Sequence, residues 1–224
     1  MRITGGKACG IQLDVPQGKG VRPATDFTRE QVFNRLGNMV WEACVLDCFA
    51  GTGAYGLECL SRGCKSVHFL EKDVGVAKTL RKNCARVCKS ACIDYNTVTT
   101  ISAIDVFRAP LKQFADVQII FLDPPYGYWQ QYVDALNDLL RSLAQRFRLA
   151  VLILETPSEI TLPQDTLWTP VTSLRSTSSK KKGTPSVNFY KVNTALQHTS
   201  NDCHCVDTKI GQRPNDDCDL NCHQ

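Results

Sequence analysis

The segment from Asp47 to Gly56, D-C-F-A-G-T-G-A-Y-G, constrains the fold of this chain more than any other. An apolar run at 43–49 precedes its glycines, and a helix-like pattern at 53–62 follows them. Glycines spaced G-x-G-x-x-G let a ligand approach the backbone closely, and the helix N-terminus presents free N–H groups to an anion. The sequence therefore predicts a strand, a glycine loop and a helix that together form a ligand site.

Strands and helices alternate after this loop, as in an α/β fold with a parallel sheet. The predicted strands are 43–49, 66–71, 96–102, 116–123 and 148–155, and the predicted helices are 53–62, 73–90 and 129–147. Two further strands, at 171–175 and 186–192, flank a polar loop. We predict a doubly wound, Rossmann-like sheet that ends in a C-terminal antiparallel hairpin.

The chain divides into three parts by composition. Residues 1–40 are expected to form an extension with a small N-terminal β-hairpin at 2–15 and a helix at 27–40, capped by Thr25 or Asp26. Residues 41–193 form the main domain, and the acidic, Cys-containing tail at 194–224 is expected to be disordered.

Length and charge limit the class of protein. The chain has 224 residues, 43% of them hydrophobic, so it can bury a core of ordinary domain size. It has no long apolar run and no apolar signal core, so we expect a soluble cytoplasmic protein that does not contact the membrane. The net charge of +4, despite the acidic tail, is compatible with a polyanionic partner but does not establish one.

The 12 cysteines are expected to be reduced thiols that serve as small apolar residues. Cys84, Cys88 and Cys92 share one face of a helix, where core or groove packing is favoured over a metal or redox role. The tail contains the ligand types of a zinc knuckle, at 203–205 and 218–223. A disordered tail is favoured there, and no metal is predicted.

Asp47 decides between the ligands that suit the glycine loop. A carboxylate at the end of the first strand suits the α-ammonium of S-adenosylmethionine, whereas the pyrophosphate of NAD would be repelled by it. Glu71 lies 20 positions after Gly51 and can bind ribose hydroxyls in either cofactor, so it does not discriminate. S-adenosylmethionine is favoured, with a dinucleotide or a plain turn as the alternatives.

The tetrapeptide Asp123-Pro124-Pro125-Tyr126 follows the most apolar strand, at the sheet edge where ligands bind. A carboxylate and a backbone carbonyl there can accept the two N–H bonds of an exocyclic amine. Two prolines stiffen the loop, and Tyr126 offers a stacking face for a base. A rigid turn is the structural alternative, and the glycine loop upstream argues against it.

These motifs resemble the bacterial 16S ribosomal RNA guanine-N2 methyltransferases. The resemblance rests on residues 47–63 and 67–71, on F-L-D-P-P-Y at 121–126, and on the blocks R-I-T-G-G-K and R-P-A-T-D-F-T-R-E-Q-V-F-N at 2–7 and 22–34. It implies a methyltransferase sheet, S-adenosylmethionine as cofactor, and the N2 amine of a guanine in 16S rRNA as target. The substrate would be the RNA or a partly assembled small subunit, and we expect a monomer.

The resemblance and the loop chemistry together give the candidate site. Asp123, Pro124, Pro125 and Tyr126 are the catalytic candidates. The cofactor candidates are Asp47, Phe49, Ala50, Gly51, Thr52, Gly53, Glu71, Lys72 and Asp105. A role for Asp105 near the adenine comes from the resemblance, and a helix N-cap is its alternative.

RNA contacts are expected from residues outside the sheet core. Arg22, Thr25 and Arg29 lie in the family block, where arginines can bind phosphates or place the target loop, or can form salt bridges. Lys180, Lys181 and Lys182 form a basic run that could reach phosphates or simply be solvated. N6-adenine methylation of DNA or RNA, a noncatalytic RNA-binding assembly factor and an NAD enzyme are the alternative functions.

Overall fold

The computed structural model describes residues 1–16, 25–162, 166–175 and 185–193. Its helices are α1 Asp26–Leu36, α2 Ala54–Ser61, α3 Val74–Ala91, the short α4 Tyr95–Val98 and α5 Tyr128–Gln131, and α6 Val133–Arg146. Its strands are β1 Cys44–Asp47, β2 Ser66–Leu70, β3 Thr99–Ser102, β4 Val117–Leu122, β5 Val151–Pro157, β6 Trp168–Arg175 and β7 Pro185–Val192. A 3₁₀ turn, Gly37–Val40, extends α1 to the end of the predicted helix.

The seven strands form one sheet in the order β3-β2-β1-β4-β5-β7-β6. The first five strands are parallel, and β7 pairs antiparallel with both β5 and β6. This confirms the predicted doubly wound sheet with a C-terminal antiparallel hairpin. The all-parallel dinucleotide sheet has a different order, 3-2-1-4-5-6. The parallel strands place their carboxyl ends at one edge, on which the candidate site lies.

Three predicted elements differ in detail. Residues 96–98, the start of the strand predicted at 96–102, belong instead to the helical turn Tyr95–Val98, which Asp94 caps by accepting the N–H of Asn96 at 3.0 Å. The helix predicted at 129–147 is broken at Tyr132, whose φ of −131° is not helical. The N-terminal hairpin has a single antiparallel bridge, between Arg2 and Gln12.

The core lies on both faces of the sheet. One face packs against α1, α2 and α3 and contains Phe33, Phe69 and Phe121. The other packs against α6, whose Leu140 carbonyl accepts the indole N–H of Trp168 at 2.8 Å. The first face also takes in the N-terminal segment, which α2 holds by polar contacts. Ser61 donates its hydroxyl to the carbonyl of Gly5 and accepts the N–H of Ala8 at 2.9 Å.

Eight of the cysteines lie in the described ranges, and all eight are free thiols. Cys84 and Cys88 are buried as the helical spacing predicts, whereas Cys92 caps the end of α3 and is exposed. No cluster that could hold a metal ion occurs within the described ranges. No described helix has both the length and the apolar character that crossing a membrane requires. The tail cysteines lie outside the described residues.

Candidate active site

Four carboxylates lie along the carboxyl edge of the sheet. Asp47 ends β1, Glu71 follows β2, Asp123 follows β4, and Glu155 lies in the last half of β5. The sequence predicted the first three of these residues and missed Glu155. It had the same signal as the others, an acidic residue at the end of a buried apolar run.

The glycine loop connects β1 to α2 and is held by Glu71. The two carboxylate oxygens of Glu71 accept the N–H groups of Gly51 at 2.9 Å and Asp73 at 2.8 Å. A carboxylate has about four acceptor sites, so Glu71 can still bind the hydroxyls of a ribose. Gly51 has a φ of 54°, and a Cβ placed on it would meet nothing within 4 Å. The loop therefore faces open space, as the close approach of a ligand requires.

Asp47 is almost fully buried beneath this loop and accepts the N–H of Gly56 at 3.1 Å. Burial raises the pKa of its carboxyl to about 7; the Gly56 N–H opposes this rise and the charge of Glu71 adds to it. A buried carboxylate with one hydrogen bond favours a cation beside it. Asp47 at the end of β1 thus suits the α-ammonium of an amino acid, and Glu71 after the neighbouring β2 suits the hydroxyls of a ribose.

Gly56, the third glycine, serves packing rather than ligand approach. Its replacement by alanine should lower the free energy of unfolding by about 1–3 kcal/mol, because of overpacking. The added Cβ would lie 2.3 Å from Cε1 of Phe69. Gly127→Ala is the control, since its Cβ would meet no atom closer than 4.0 Å. Urea unfolding of the two variants measures the difference, and equal midpoints would contradict this assignment.

The Asp-Pro-Pro-Tyr loop leaves two acceptors available. The carbonyl of Pro125 accepts the N–H of Tyr128 at 2.8 Å and that of Tyr126 accepts the N–H of Trp129 at 3.2 Å. Within the described ranges, neither the Pro124 carbonyl nor the Asp123 carboxylate accepts a hydrogen bond. Asp123 is half-buried, Pro124 is buried, and Tyr126 is half-buried. The Asp123 carboxylate and the Pro124 carbonyl are thus two neighbouring acceptors that a ligand can use.

The second carboxylate of this region, Glu155, contacts Tyr55. The Tyr55 hydroxyl donates to Oε2 of Glu155 at 3.3 Å, and the Tyr55 ring stacks on Phe121 with centroids 4.8 Å apart. Burial, and then the charges of Glu155 and Asp47, raise the pKa of Asp123 well above its usual range. Burial also raises the pKa of Glu155, which the Tyr55 hydrogen bond opposes. A negative charge on Glu155 therefore makes ionisation of Asp123 less favourable.

Aromatic rings line the opposite side of the glycine loop. Phe49 meets Phe107 and Tyr128 edge-on, with centroids 6.2 and 5.9 Å apart. Lys72 is exposed; its ammonium donates to the Tyr128 hydroxyl and lies 5.0 Å from the ring centroid. The sequence predicted Phe49 and Lys72 but not the rings that they contact, Phe107 and Tyr128, because these come from a 3₁₀ turn and a short helix that are distant in sequence.

Asp105 takes the role that its alternative predicted. Its carboxylate accepts the N–H of Phe107 at 3.1 Å and caps the 3₁₀ turn Val106–Arg108. The side chain is only partly buried, and it still lies at the carboxyl edge beside the aromatic rings. A cofactor contact by Asp105 stays a prediction.

The predicted RNA contacts divide into three groups. Arg29 is fully buried and donates to Oδ1 of Asp26 at 2.8 Å, so a salt bridge replaces the predicted phosphate contact, while a role in placing the target loop stays a prediction. Thr25 is exposed and caps α1 by accepting the N–H of Thr28 at 3.1 Å. The remaining candidates lie outside the described residues: Arg22, Lys180, Lys181 and Lys182.

Comparison with known proteins identifies the relatives of this chain. The family model described as conserved hypothetical protein 95 matches residues 1–191. Ribosomal RNA small subunit methyltransferase D of Escherichia coli (strain K12) is 34% identical over 142 residues, which are 62% of this chain and 67% of the relative. The putative rRNA methyltransferase YlbH of Bacillus subtilis (strain 168) is 30% identical over 193 residues, which are 85% of this chain and 98% of the relative.

A solved structure supports the fold. The putative methyltransferase yhhF of Escherichia coli superposes with a TM-score of 0.62 at 29% identity, covering 86% of this chain and 97% of the other. The sheet order and the site thus define a Rossmann-like, S-adenosylmethionine-dependent methyltransferase. Within this class, the chain belongs to the conserved hypothetical protein 95 family, several of whose relatives are named ribosomal RNA small subunit methyltransferase D. The family predicted from the sequence is thereby confirmed.

Proposed function

We propose that this protein methylates the exocyclic N2 amine of a guanine in small-subunit (16S) ribosomal RNA. The observation that carries the proposal is the pair of uncommitted acceptors, Asp123 and the Pro124 carbonyl, beside the glycine loop. The names of the relatives, which refer to small-subunit rRNA, support RNA as the substrate. The choice of guanine rests on the sequence resemblance and on the chemistry of the site.

The chain binds the cofactor through the ends of β1 and β2. Asp47 binds the ammonium and Glu71 binds the ribose hydroxyls. Gly51, which has no side chain, leaves the space that the cofactor needs. Bound S-adenosylmethionine supplies a methyl group on a sulfonium. Phe49 and Phe107 form the apolar wall on which the adenine packs, and Asp105 lies beside them.

The chain orients the target amine through the Asp-Pro-Pro-Tyr loop. The lone pair of an exocyclic amine is delocalised into the base, so the amine is a poor nucleophile. Asp123 and the Pro124 carbonyl accept hydrogen bonds from its two N–H groups. These bonds direct the nitrogen toward the methyl group of the cofactor and stabilise the positive charge that develops on the nitrogen. Tyr126 stacks on the base once it has left the RNA stack. After the C–N bond has formed, the Asp123 carboxylate is within reach of the proton that the amine must lose.

The proposed partner is 16S rRNA, free or in a partly assembled small subunit, and the reaction then takes place in the cytoplasm. We propose a monomer, because each step uses residues of one chain. Exposed Thr25 and the basic residues Arg22, Lys180, Lys181 and Lys182 remain candidates for contacts with phosphates.

The test is the identity of the methylated nucleoside. Small-subunit particles and naked 16S rRNA, both from cells that lack this activity, are incubated with the protein and methyl-labelled S-adenosylmethionine. Mass spectrometry of the digested nucleosides should place the label in N2-methylguanosine. Label in N6-methyladenosine would instead support adenine methylation. If no label is transferred to either substrate, a noncatalytic assembly role would replace the proposal.

A further inference from the structure

Glu155 lies beside Asp123 on the same face of the sheet. The parallel register pairs Leu122 of β4 with Leu154 of β5, so the next residues are also neighbours. Neighbouring strands are about 4.8 Å apart. Side chains alternate along a strand, and Phe121 and Ile153 face the α2 side. Asp123 and Glu155 follow them by two residues and therefore face that side too.

Tyr55 fixes the position of Glu155. Its ring is held flat against Phe121, at an interplanar angle of 12°, and its hydroxyl donates to one carboxylate oxygen of Glu155. The other oxygen, Oε1, accepts no hydrogen bond from the described ranges. Glu155 as a whole is only 6% exposed. Oε1 is thus an acceptor on a largely buried side chain, and a donor of a ligand can bind it.

The Watson–Crick edge of guanine supplies two adjacent donors. Its N2 amine and its N1–H lie side by side and both donate, whereas the N1 of adenine, beside its N6 amine, accepts. Asp123 alone can bind the amine of either base. Two neighbouring carboxylates can bind both donors of guanine, and they would face a lone pair at N1 of adenine.

We propose that Glu155 accepts the N1–H of the target guanine while Asp123 accepts its N2–H, so that the pair selects guanine over bases without an N1 proton. This inference rests on the proposed function and adds to it a residue that determines base specificity. Tyr55 is then a positioning residue, because it acts on the base only through Glu155.

The experiment compares two target bases in wild-type protein and in Glu155→Gln. Once the target is mapped, guanosine or 2-aminopurine riboside is placed there by ligation of 16S rRNA fragments, and the particle is reconstituted. 2-Aminopurine keeps the 2-amino group, but its N1 is an acceptor. The measured quantity is the ratio of kcat/KM for guanine to that for 2-aminopurine. Glu159→Gln is the matched control, the same substitution at an exposed position four residues downstream.

We expect the wild type and Glu159→Gln to share one ratio, and Glu155→Gln to lower it at least about tenfold, since an amide can donate to N1. The O6 of guanine is also missing from 2-aminopurine, but its contribution is the same in all three proteins and cancels. Tyr55→Phe should lower the ratio less than Glu155→Gln does. Unchanged S-adenosylmethionine affinity and a thermal midpoint no lower than that of the wild type establish that each variant is folded.

Two results would overturn the inference, and they differ. An unchanged ratio in folded Glu155→Gln, with guanine still methylated by the wild type, contradicts the role of Glu155 alone. Failure of the wild type to form N2-methylguanosine contradicts the proposed function and the inference together.

Discussion

Replacing Asp123 with asparagine should lower kcat for methyl transfer by roughly 10²–10³-fold or more, while the affinity for S-adenosylmethionine changes little. The carboxylate accepts an N–H of the amine and stabilises the charge that develops there. An amide has half the acceptor capacity and presents its own N–H groups to the amine. Single-turnover methylation of small-subunit particles, together with calorimetric titration of the cofactor, measures the two quantities separately.

The same variant should be at least as stable as the wild type at pH 8. The raised pKa of Asp123 means that the folded state binds this proton more tightly than the unfolded state does. The carboxyl group therefore destabilises the fold increasingly as pH rises from the ordinary carboxyl range through the raised pKa. The Asp123→Asn variant would lack this titration. An exposed control, Asp138→Asn, should change neither kcat nor the pH dependence of stability. A folded Asp123→Asn variant with full activity would contradict the mechanism.

Replacing Asp47 with asparagine should weaken S-adenosylmethionine binding about 10- to 100-fold at pH 8, because a buried charge-assisted hydrogen bond to the ammonium is lost. Asparagine keeps an oxygen that can accept the N–H of Gly56, so the loop should retain its shape. The cofactor-free variant should unfold at the same or a higher temperature at this pH, since the buried charge is removed. Binding and stability are thus expected to move in opposite directions.

The pH dependence of cofactor binding gives a second measurement of the role of Asp47. Its pKa of about 7 means that the carboxyl is protonated below pH 7 and charged above it. The affinity of the wild type should therefore rise as pH increases through about 7 and then level off, up to about tenfold per pH unit on the acid side. In Asp47→Asn this rise should disappear. A wild-type affinity that is constant between pH 6 and 8 would show that Asp47 does not bind the ammonium.

The order and type of most elements could be predicted from the sequence, because periodicity reports burial directly. Periodicity does not report which strands are neighbours, so the insertion of β7 between β5 and β6 was not predictable. Residues 96–98 were predicted as the start of a strand because of their threonine and valine content. A local cap at Asp94 overrides that preference, and such caps depend on backbone geometry.

The candidate site could be predicted only where its residues are close in sequence or end a strand. Asp47 and Asp123 are of this kind, and the structure brings them to adjacent strands. Glu155 obeys the same rule and could have been found by applying it to every buried strand. Arg29 could not have been assigned, because an arginine in a loop–helix block is as compatible with burial as with phosphate binding until packing is known.

In our proposal, Asp47 and Asp123, at the carboxyl edge of the sheet, hold S-adenosylmethionine and the N2 amine of a guanine in small-subunit rRNA in position for methyl transfer. The most direct test of this proposal is oligonucleotide mass mapping of small-subunit RNA after incubation with methyl-labelled cofactor and either the wild type or Asp123→Asn. In short incubations of equal length, we expect one labelled oligonucleotide in the wild-type reaction, with the methyl group on N2 of a single guanine, and roughly 100-fold less label or lower with the variant. Label on an adenine, or the same amount of label with folded Asp123→Asn in that time, would contradict this proposal.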